Sequence, residues 1–354
     1  MSSAEQAALV ELSPAPPAEL PPERLVQGRA VTPIEGALAI AVAPCPICDA
    51  RIAVPILAVE GVRPPIVRCG CGLGRFAVTP GEREVESFYP PVYYGAPGAK
   101  FHPLIEWLVR MVGTRHVRSL TRGLRPGARI LDVGCGRGVL LSVLADHGFE
   151  AHGVEVSEAA CWGADPRAQI RIAPRLAEAR YEAGHFDEVI FWHVLEHLPE
   201  PRETLEEARR ILRPGGRLIV AVPNFASLQA AWAKEAWFHL DPPRHLFHFS
   251  ASALRALVVR AGFVLQSEHH FSLRQNPFGW IQSALNRRPG LPRNGMYALL
   301  HQRAPGQTTP FDPATRLRLT LAALLWAPLA LLLTAAETAA RCGATVHIVA
   351  TSRR

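Results

Sequence analysis

The stretch Ala128–Gly138, ARILDVGCGRG, decides the fold: an apolar strand ends in an acid, Asp132, and runs into a turn with glycine at 134, 136 and 138. Glycines reach positive φ at little cost and let the backbone come into contact with a ligand, and the helix expected to start near Val139 offers its amino end. The turn therefore reads as a nucleotide-cofactor site. Its spacing is not the dinucleotide pattern G-x-G-x-x-G, which needs two residues between its second and third glycines. A carboxylate at the tip of the strand repels a pyrophosphate and suits a ligand whose nearest groups are donors or cations.

S-adenosylmethionine has an ammonium and a sulfonium in that place. Downstream, VLLSVLADHGF carries apolar residues at helical spacing and stops at Gly148, and AHGVEVS is a short strand ended by Glu155. An acid about 20 residues beyond the glycine turn accepts hydrogen bonds from ribose hydroxyls in nucleotide-binding α/β folds. FDEVIFWHVLEHLPEP follows as a strand and the start of a helix, and ILRPGGRLIVAVPN as a helix, a Pro-Gly-Gly turn and a strand. On these four blocks, across most of residues 100–273, the chain resembles the class I S-adenosylmethionine-dependent methyltransferases. The resemblance implies an α/β, Rossmann-like, doubly wound sheet of seven strands. It also implies a cofactor site at Asp132, Gly134, Cys135, Gly136, Gly138, Glu155, Val156, Trp192 and His193.

The chain has 354 residues and is 49% hydrophobic, which excludes a disordered protein and allows two domains. Its net charge of +7 comes almost wholly from arginine, since Lys100 and Lys234 are the only lysines. That surplus suits anionic partners without choosing among phosphate-bearing small molecules, lipid and nucleic acid. Residues 1–40 open with a proline-rich run and are expected to form a solvated, disordered tail. No basic segment precedes an apolar run there, so the expected location is cytoplasmic. Seven cysteines in a reducing compartment do not make a disulfide framework. Four of them cluster, Cys45 and Cys48 in CPIC, Cys69 and Cys71 in RCGCG. Two close pairs about 20 residues apart resemble a zinc ribbon, with structural zinc held by four thiolates. The second pair departs from that pattern, with one residue between its cysteines where ribbons have two. The resembling methyltransferases carry such a leading segment, CPxC, then CxxCGL, then a Tyr-Tyr element, whose places CGCGL and YPPVYYG occupy. Residues 41–98 are accordingly assigned to a small zinc-ribbon-like domain and linker, and 99–273 to the core. Cys135, Cys161 and Cys342 are isolated and read as small packing residues.

GFVLQSEHHFSL, residues 262–273, reads as the sixth strand, and ATVHIVATSR, within 344–354, as the last. Between them lies an insertion, 274–343, basic at first and then apolar. Leu319–Ala336 contains 18 residues without a charge. A single membrane crossing is disfavoured because the strands on either side belong to one sheet, and Pro328 divides the run. Two short helices in a hairpin are expected. They either cover the active-site mouth as a lid or dip into an anionic membrane surface, peripheral at its inner face, with arginines on the phosphates.

In-line methyl transfer is mostly positioning, but a hydroxyl acceptor needs a base near the methyl. The carboxyl ends of the strands offer two groups. One is Trp192, His193, Glu196 and His197. The other is HLDPPRHLFHFS, with Asp241, Arg244, His245 and His248, the last two placed on one side of a helical turn. His245, His248 and His193 are the catalytic candidates. A bland reading, in which the histidines fix a loop through hydrogen bonds, stands beside this one. HVLEH matches the H-x-x-E-H peptidase pattern, yet follows a strand of another fold and lacks an obvious third ligand. DPPR lacks the aromatic of the D-P-P-Y tetrad and follows the wrong strand for it. The expected function is methyl transfer to a small-molecule or lipid-linked acceptor, at a hydroxyl. The alternatives are an RNA methyltransferase, disfavoured because residues 41–80 pair only Arg51, Arg63, Arg68 and Arg75 with Phe76, and a non-catalytic cofactor-binding or scaffold protein.

Overall fold

The computed structural model describes residues 31–60, 62–81, 84–85, 88–89, 117, 120–301 and 311–352. The tail before residue 31 and the Tyr-Tyr element lie outside these residues. Strands β1 (Val31–Pro33), β2 (Ile40–Ala41), β3 (Ile52–Val59), β4 (Val62–Arg68) and β5 (Gly74–Phe76) make an amino-terminal antiparallel sheet. The core follows with β6 (Arg129–Val133), β7 (Glu150–Glu155), β8 (Gln169–Ile172), β9 (Phe186–Trp192) and β10 (Leu212–Pro223). A two-residue strand, β11 (Phe247–His248), precedes β12 (Phe263–His269) and β13 (Thr345–Ser352).

The core sheet has seven strands in the order β12-β13-β10-β9-β6-β7-β8. β6, β7, β8, β9 and β10 pair in parallel, and β13 runs antiparallel between β10 and β12. Strands buried on both faces read as continuous apolar runs, and β6, RILDV, is buried at every residue but the first. From β6 the chain steps to β7 on one side and later to β9 on the other. That reversal opens a crevice at the carboxyl ends of the strands, where ligands of doubly wound sheets bind. Helix α1 (Val139–Asp146) leaves the glycine turn there, and α2 (Pro201–Ile211) follows β9. The Pro-Gly-Gly turn is absorbed as a register shift between Leu212 and Arg217, so β10 begins directly after α2.

Two corrections concern the amino-terminal sheet. Its first strand starts inside the expected tail, where Val31–Pro33 pair with Val59–Leu57 of β3. Its last strand comes from the core, because Phe247 and His248 pair with Arg75 and Gly74 of β5. The His245–His248 segment is therefore extended rather than helical, and the two expected domains interleave.

Helix α3 (Leu228–Ala233) follows β10, α4 (Ala251–Arg260) precedes β12, and α5 (Gln275–Asn286), α6 (Gly295–Leu300) and α7 (Pro313–Ala339) form the insertion. The apolar run lies within one continuous 27-residue helix, not a hairpin. Pro328 is exposed, as are Leu324 and Leu325 nearby, so the backbone bond it removes lies off the packed stripe. That stripe is Leu319, Ala323, Ala330, Thr334 and Glu337, set against α5 and α6. Trp280 donates its indole N–H to Glu337 at 3.1 Å, and burial raises the Glu337 pKa to about 7. β12 and β13 pair directly, so both ends of the insertion return to one sheet and α7 does not cross a bilayer.

Candidate active site

The glycine turn owes its path to three left-handed residues, Gly134 (φ 69°), Gly136 (φ 50°) and Gly138 (φ 69°). A Cβ on Gly134 would lie 2.6 Å from a methyl of Val194, whereas one on Gly136 would meet no atom within 4 Å. The first glycine makes room for the loop after β9, and the second leaves open space. Cys135 turns under the loop against Gly153, where a Cβ would come within 2.6 Å of its sulfur. The amides of Gly134 and Cys135 both donate to the Val154 carbonyl, at 2.7 and 3.2 Å. Cys135 thus supports the turn from the sheet side.

Glu155, at the end of β7, closes over the same turn. Its Oε2 accepts from the Gly136 amide at 2.8 Å, and its Oε1 accepts from the Val156 and Ser157 amides at 2.8 and 3.4 Å. A carboxylate offers about four acceptor positions. Three amides use three of them, leaving one for a ligand hydroxyl. Asp132 is buried at the tip of β6, and burial together with the Glu155 charge pushes its carboxyl up to about 8. A cation placed beside it reverses that penalty. Asp132, the three glycines and Glu155 thus come together as the spacing predicts. Val156 has an exposed side chain, and Trp192 lies at the end of β9 with its ring 4.8 Å from that of His347.

Past Trp192, His193 takes a left-handed conformation, φ 55°, of the kind that clusters at functional sites in non-glycine residues. Its Nδ1 lies 3.4 Å from Oε1 of Glu196, while its Nε2 is buried without a hydrogen-bond partner. Glu196 is buried, and neither of its oxygens has a hydrogen-bond partner among the described residues. Burial raises its carboxyl to about 7. His245 faces the same carboxylate, its Nε2 4.0 Å from Glu196 Oε1 and 4.0 Å from Asp241 Oδ2. The Nδ1 of His245 lies 2.8 Å from the His239 carbonyl. A carbonyl only accepts, so Nδ1 carries the proton and Nε2 is the basic nitrogen. Burial holds His245 well below the ordinary histidine range and takes His193 to about 3 and His248 to about 4. All three rings are neutral near pH 7.

Asp241 is held below the usual carboxylate range, against its burial, by a paired hydrogen bond from Arg244. His248 lies with its ring 6.4 Å from that of His245, and its Nε2 has no partner. His197 Nδ1 reaches the Arg244 carbonyl at 3.0 Å and the Tyr89 hydroxyl at 2.8 Å, which makes it a loop anchor. Glu196, His197 and His245 also place ligand atoms within 4.8 Å of one another, a set suited to a divalent cation. Sequence reasoning missed His239, which is buried with an unpartnered Nε2, and Arg274 and Tyr297 from the insertion. After burial, the Arg274 charge is what opposes protonation of His193, and Tyr297 is close enough to feel Arg244 and Asp241. No periodicity or motif marks these positions.

In the amino-terminal sheet, Cys45 and Cys71 lie 3.6 Å apart and Cys48 and Cys69 3.4 Å apart. All four sulfurs fall within 4.8 Å of one another, so the single residue between Cys69 and Cys71 does not prevent convergence. Zn–S bonds of about 2.3 Å in a tetrahedron need sulfurs roughly 3.8 Å apart. The cysteines fit that need. Arg75 is buried beside them, its Nε without a partner, and supplies a positive charge against four thiolates.

Residues 105–268 match the family model described as a methyltransferase domain. The ubiquinone biosynthesis O-methyltransferase of Caulobacter sp. (strain K31) is 38% identical over 115 residues, 30% of this chain and 46% of that protein. The protein of the same name from Ruegeria pomeroyi is 28% identical over 219 residues, 54% of this chain and 84% of that one. The chain spans about half the length of the first of the curated relatives it matches, 46% and 55% for two of them. Among solved structures, a SAM-dependent methyltransferase from Archaeoglobus fulgidus superposes with a TM-score of 0.43 at 17% identity, covering 69% of this chain and 94% of that one. Residues 105–268 thus carry a methyltransferase domain, and the strand order and glycine turn found there are those of the class I S-adenosylmethionine-dependent methyltransferases that the sequence resembles.

Proposed function

We propose that the protein transfers the methyl group of S-adenosylmethionine to a hydroxyl of a small-molecule or lipid-linked acceptor. The observation that carries this reading is the His245 tautomer: Nδ1 donates to the His239 carbonyl, and a basic Nε2 is left facing Glu196 and Asp241. The names of the relatives, ubiquinone biosynthesis O-methyltransferases, support a hydroxyl acceptor. The cofactor supplies a methyl activated by its sulfonium. Asp132 and Glu155 bind its polar groups, and the Gly134–Gly138 turn admits it. His245 takes the hydroxyl proton at Nε2, and the imidazolium so formed is stabilised by the two carboxylates 4.0 Å away. The partnerless Nε2 atoms of His193 and His248 orient the acceptor oxygens. Zinc on Cys45, Cys48, Cys69 and Cys71 is structural in this reading and takes no part in the transfer.

On the surface, α7 turns Leu321, Leu324, Leu325 and Leu332 outward, and only 22% of its most apolar window is buried. Exposed Arg316 and Arg318 lie at one end and Arg341 beyond the other. This arrangement favours peripheral contact with an anionic lipid surface over a lid.

Calorimetry with S-adenosylhomocysteine tests the cofactor site. Micromolar binding that Asp132→Ala abolishes is expected, followed by labelled-methyl transfer to hydroxyl acceptors that His245→Gln lowers at least tenfold. A folded wild type that binds no S-adenosylhomocysteine refutes the reading.

A further inference from the structure

The amino-terminal sheet and the core line an open cavity of about 590 Å³ away from the glycine turn. That volume falls among small-molecule sites, roughly 300–1,000 Å³. Ile56 and Leu57 of β3 form one wall, and Phe225 and Ala230 the other. The interior is mostly apolar, and Arg68 and Lys234 stand at its sides. The Arg68 guanidinium carbon lies 5.4 Å from the centre of the Phe225 ring. Neither cation has a carboxylate partner among the described residues, and both are exposed. The acid lining the cavity, Glu235, also acts, after Asp241, on the half-buried Arg293, whose desolvation the two acids oppose in part. The charged groups lining the cavity are thus two cations and one acid, a formal surplus of one positive charge. Phe225 is also the partition from the histidine cluster, its ring 5.4 Å from that of His248.

We infer that this cavity is a second ligand site, which binds an apolar chain carrying an acidic group, with the chain between β3 and α3 and the anion between Arg68 and Lys234. An apolar lining recognises the chain, and two cations with no carboxylate partner among the described residues select an anionic over a neutral head. The site is independent of the cofactor, because none of the residues that line it belongs to the glycine turn or to β7.

Calorimetric titration of the full chain with monomeric dodecyl phosphate tests this, with dodecanoate and dodecanol as comparison probes. Saturable binding with one site per chain is expected, tighter for the two anions than for dodecanol. A preference between phosphate and carboxylate identifies the head group. Ala231→Trp, from an exposed position lining the cavity, and the double variant Arg68→Glu/Lys234→Glu should each weaken dodecyl phosphate at least tenfold. The double variant should leave dodecanol unchanged, and S-adenosylhomocysteine should bind equally with or without the amphiphile. Absence of saturable binding overturns the inference, as does competition with S-adenosylhomocysteine. So does loss of binding in Leu325→Ser/Leu332→Ser, which would place the chain on α7. Failure of the methyl-transfer reading would show separately, as wild type that does not bind S-adenosylhomocysteine.

Discussion

Gly134 and Gly136 have similar backbone conformations and opposite surroundings, so alanine at each separates packing from ligand clearance. An alanine forced into the left-handed region costs roughly 1–2 kcal/mol. At Gly136 that is the whole structural cost, since the new methyl meets no atom within 4 Å, and the smaller entropy of the unfolded alanine chain offsets about 0.4–1 kcal/mol of it. At Gly134 the methyl must also displace Val194 from 2.6 Å, and overpacking of that kind adds typically about 1–3 kcal/mol. Thermal unfolding should show Gly136→Ala near wild type and Gly134→Ala, after the same entropy offset, lower by roughly 1–5 kcal/mol in total. Adding Val194→Ala should recover much of the Gly134→Ala loss by removing the methyls it strikes. Calorimetry with S-adenosylhomocysteine should rank the two differently. Gly136→Ala, folded and nearly as stable as wild type, should lose at least tenfold in affinity, because its methyl enters the space left for the ligand. Unchanged affinity in that variant would refute the placement of the cofactor over Gly136. An equal loss of stability at the two positions would refute the geometry of the turn.

Asp132 makes cofactor affinity depend on pH. Its carboxyl is raised to about 8, so the free protein holds a proton there at neutral pH, and the cofactor's cations bind the carboxylate. Binding should release a proton, and S-adenosylmethionine affinity should rise from pH 6 to pH 7.5, by at most about tenfold per unit. By the same sign, the contribution of this group to folding stability is present below the ordinary carboxyl range and lost as pH rises towards 8. A flat affinity profile would remove Asp132 from the site. Glu196, raised to about 7, must be ionised to stabilise an imidazolium at His245, so turnover should fall as pH drops through 7. Glu196→Gln should flatten that limb and lower kcat at pH 8, and an unaltered acid limb would assign it elsewhere. Purified protein should contain one zinc per chain, and Cys45→Ser should lower the melting temperature. Metal-free protein with an unchanged melt in that variant would exclude the ribbon metal. Vesicles rich in anionic lipid should pellet the protein at low salt and release it at high salt, and Leu325→Ser/Leu332→Ser should abolish pelleting. Failure of wild type to pellet would remove the lipid contact.

The core was legible because its signals are local. Fully buried parallel strands read as near-continuous apolar runs, and RILDV and FDEVIFW do so apart from the buried acids Asp132, Asp187 and Glu188. Glycines at fixed spacing mark positive φ, and all three in the turn have it. The apolar helix was misread for a physical reason that sequence conceals. Proline removes one backbone bond wherever it stands, but what that costs depends on which side of the helix it faces. Pro328 lies on the side away from α5, so the packed stripe continues past it.

The proposed acceptor end was legible in its residues and not in its arrangement, because it is assembled from four distant parts of the chain. His193 and Glu196 follow β9, and His245 sits in a segment whose next residues extend the amino-terminal sheet. Tyr89 bonds His197 from before the core begins, and Arg274 and Tyr297 arrive from the insertion. A hydrogen bond such as that between His245 and the His239 carbonyl fixes a tautomer, yet only the folded turn brings the two within 2.8 Å. The pairing of Phe247 and His248 with Arg75 and Gly74 ties this turn to the four cysteines, since β5 begins three residues after Cys71. Metal in the ribbon would therefore hold the β5 edge on which His248 rests. The amino-terminal sheet is thus joined to the segment of the proposed base by strand pairing rather than attached as a separate module.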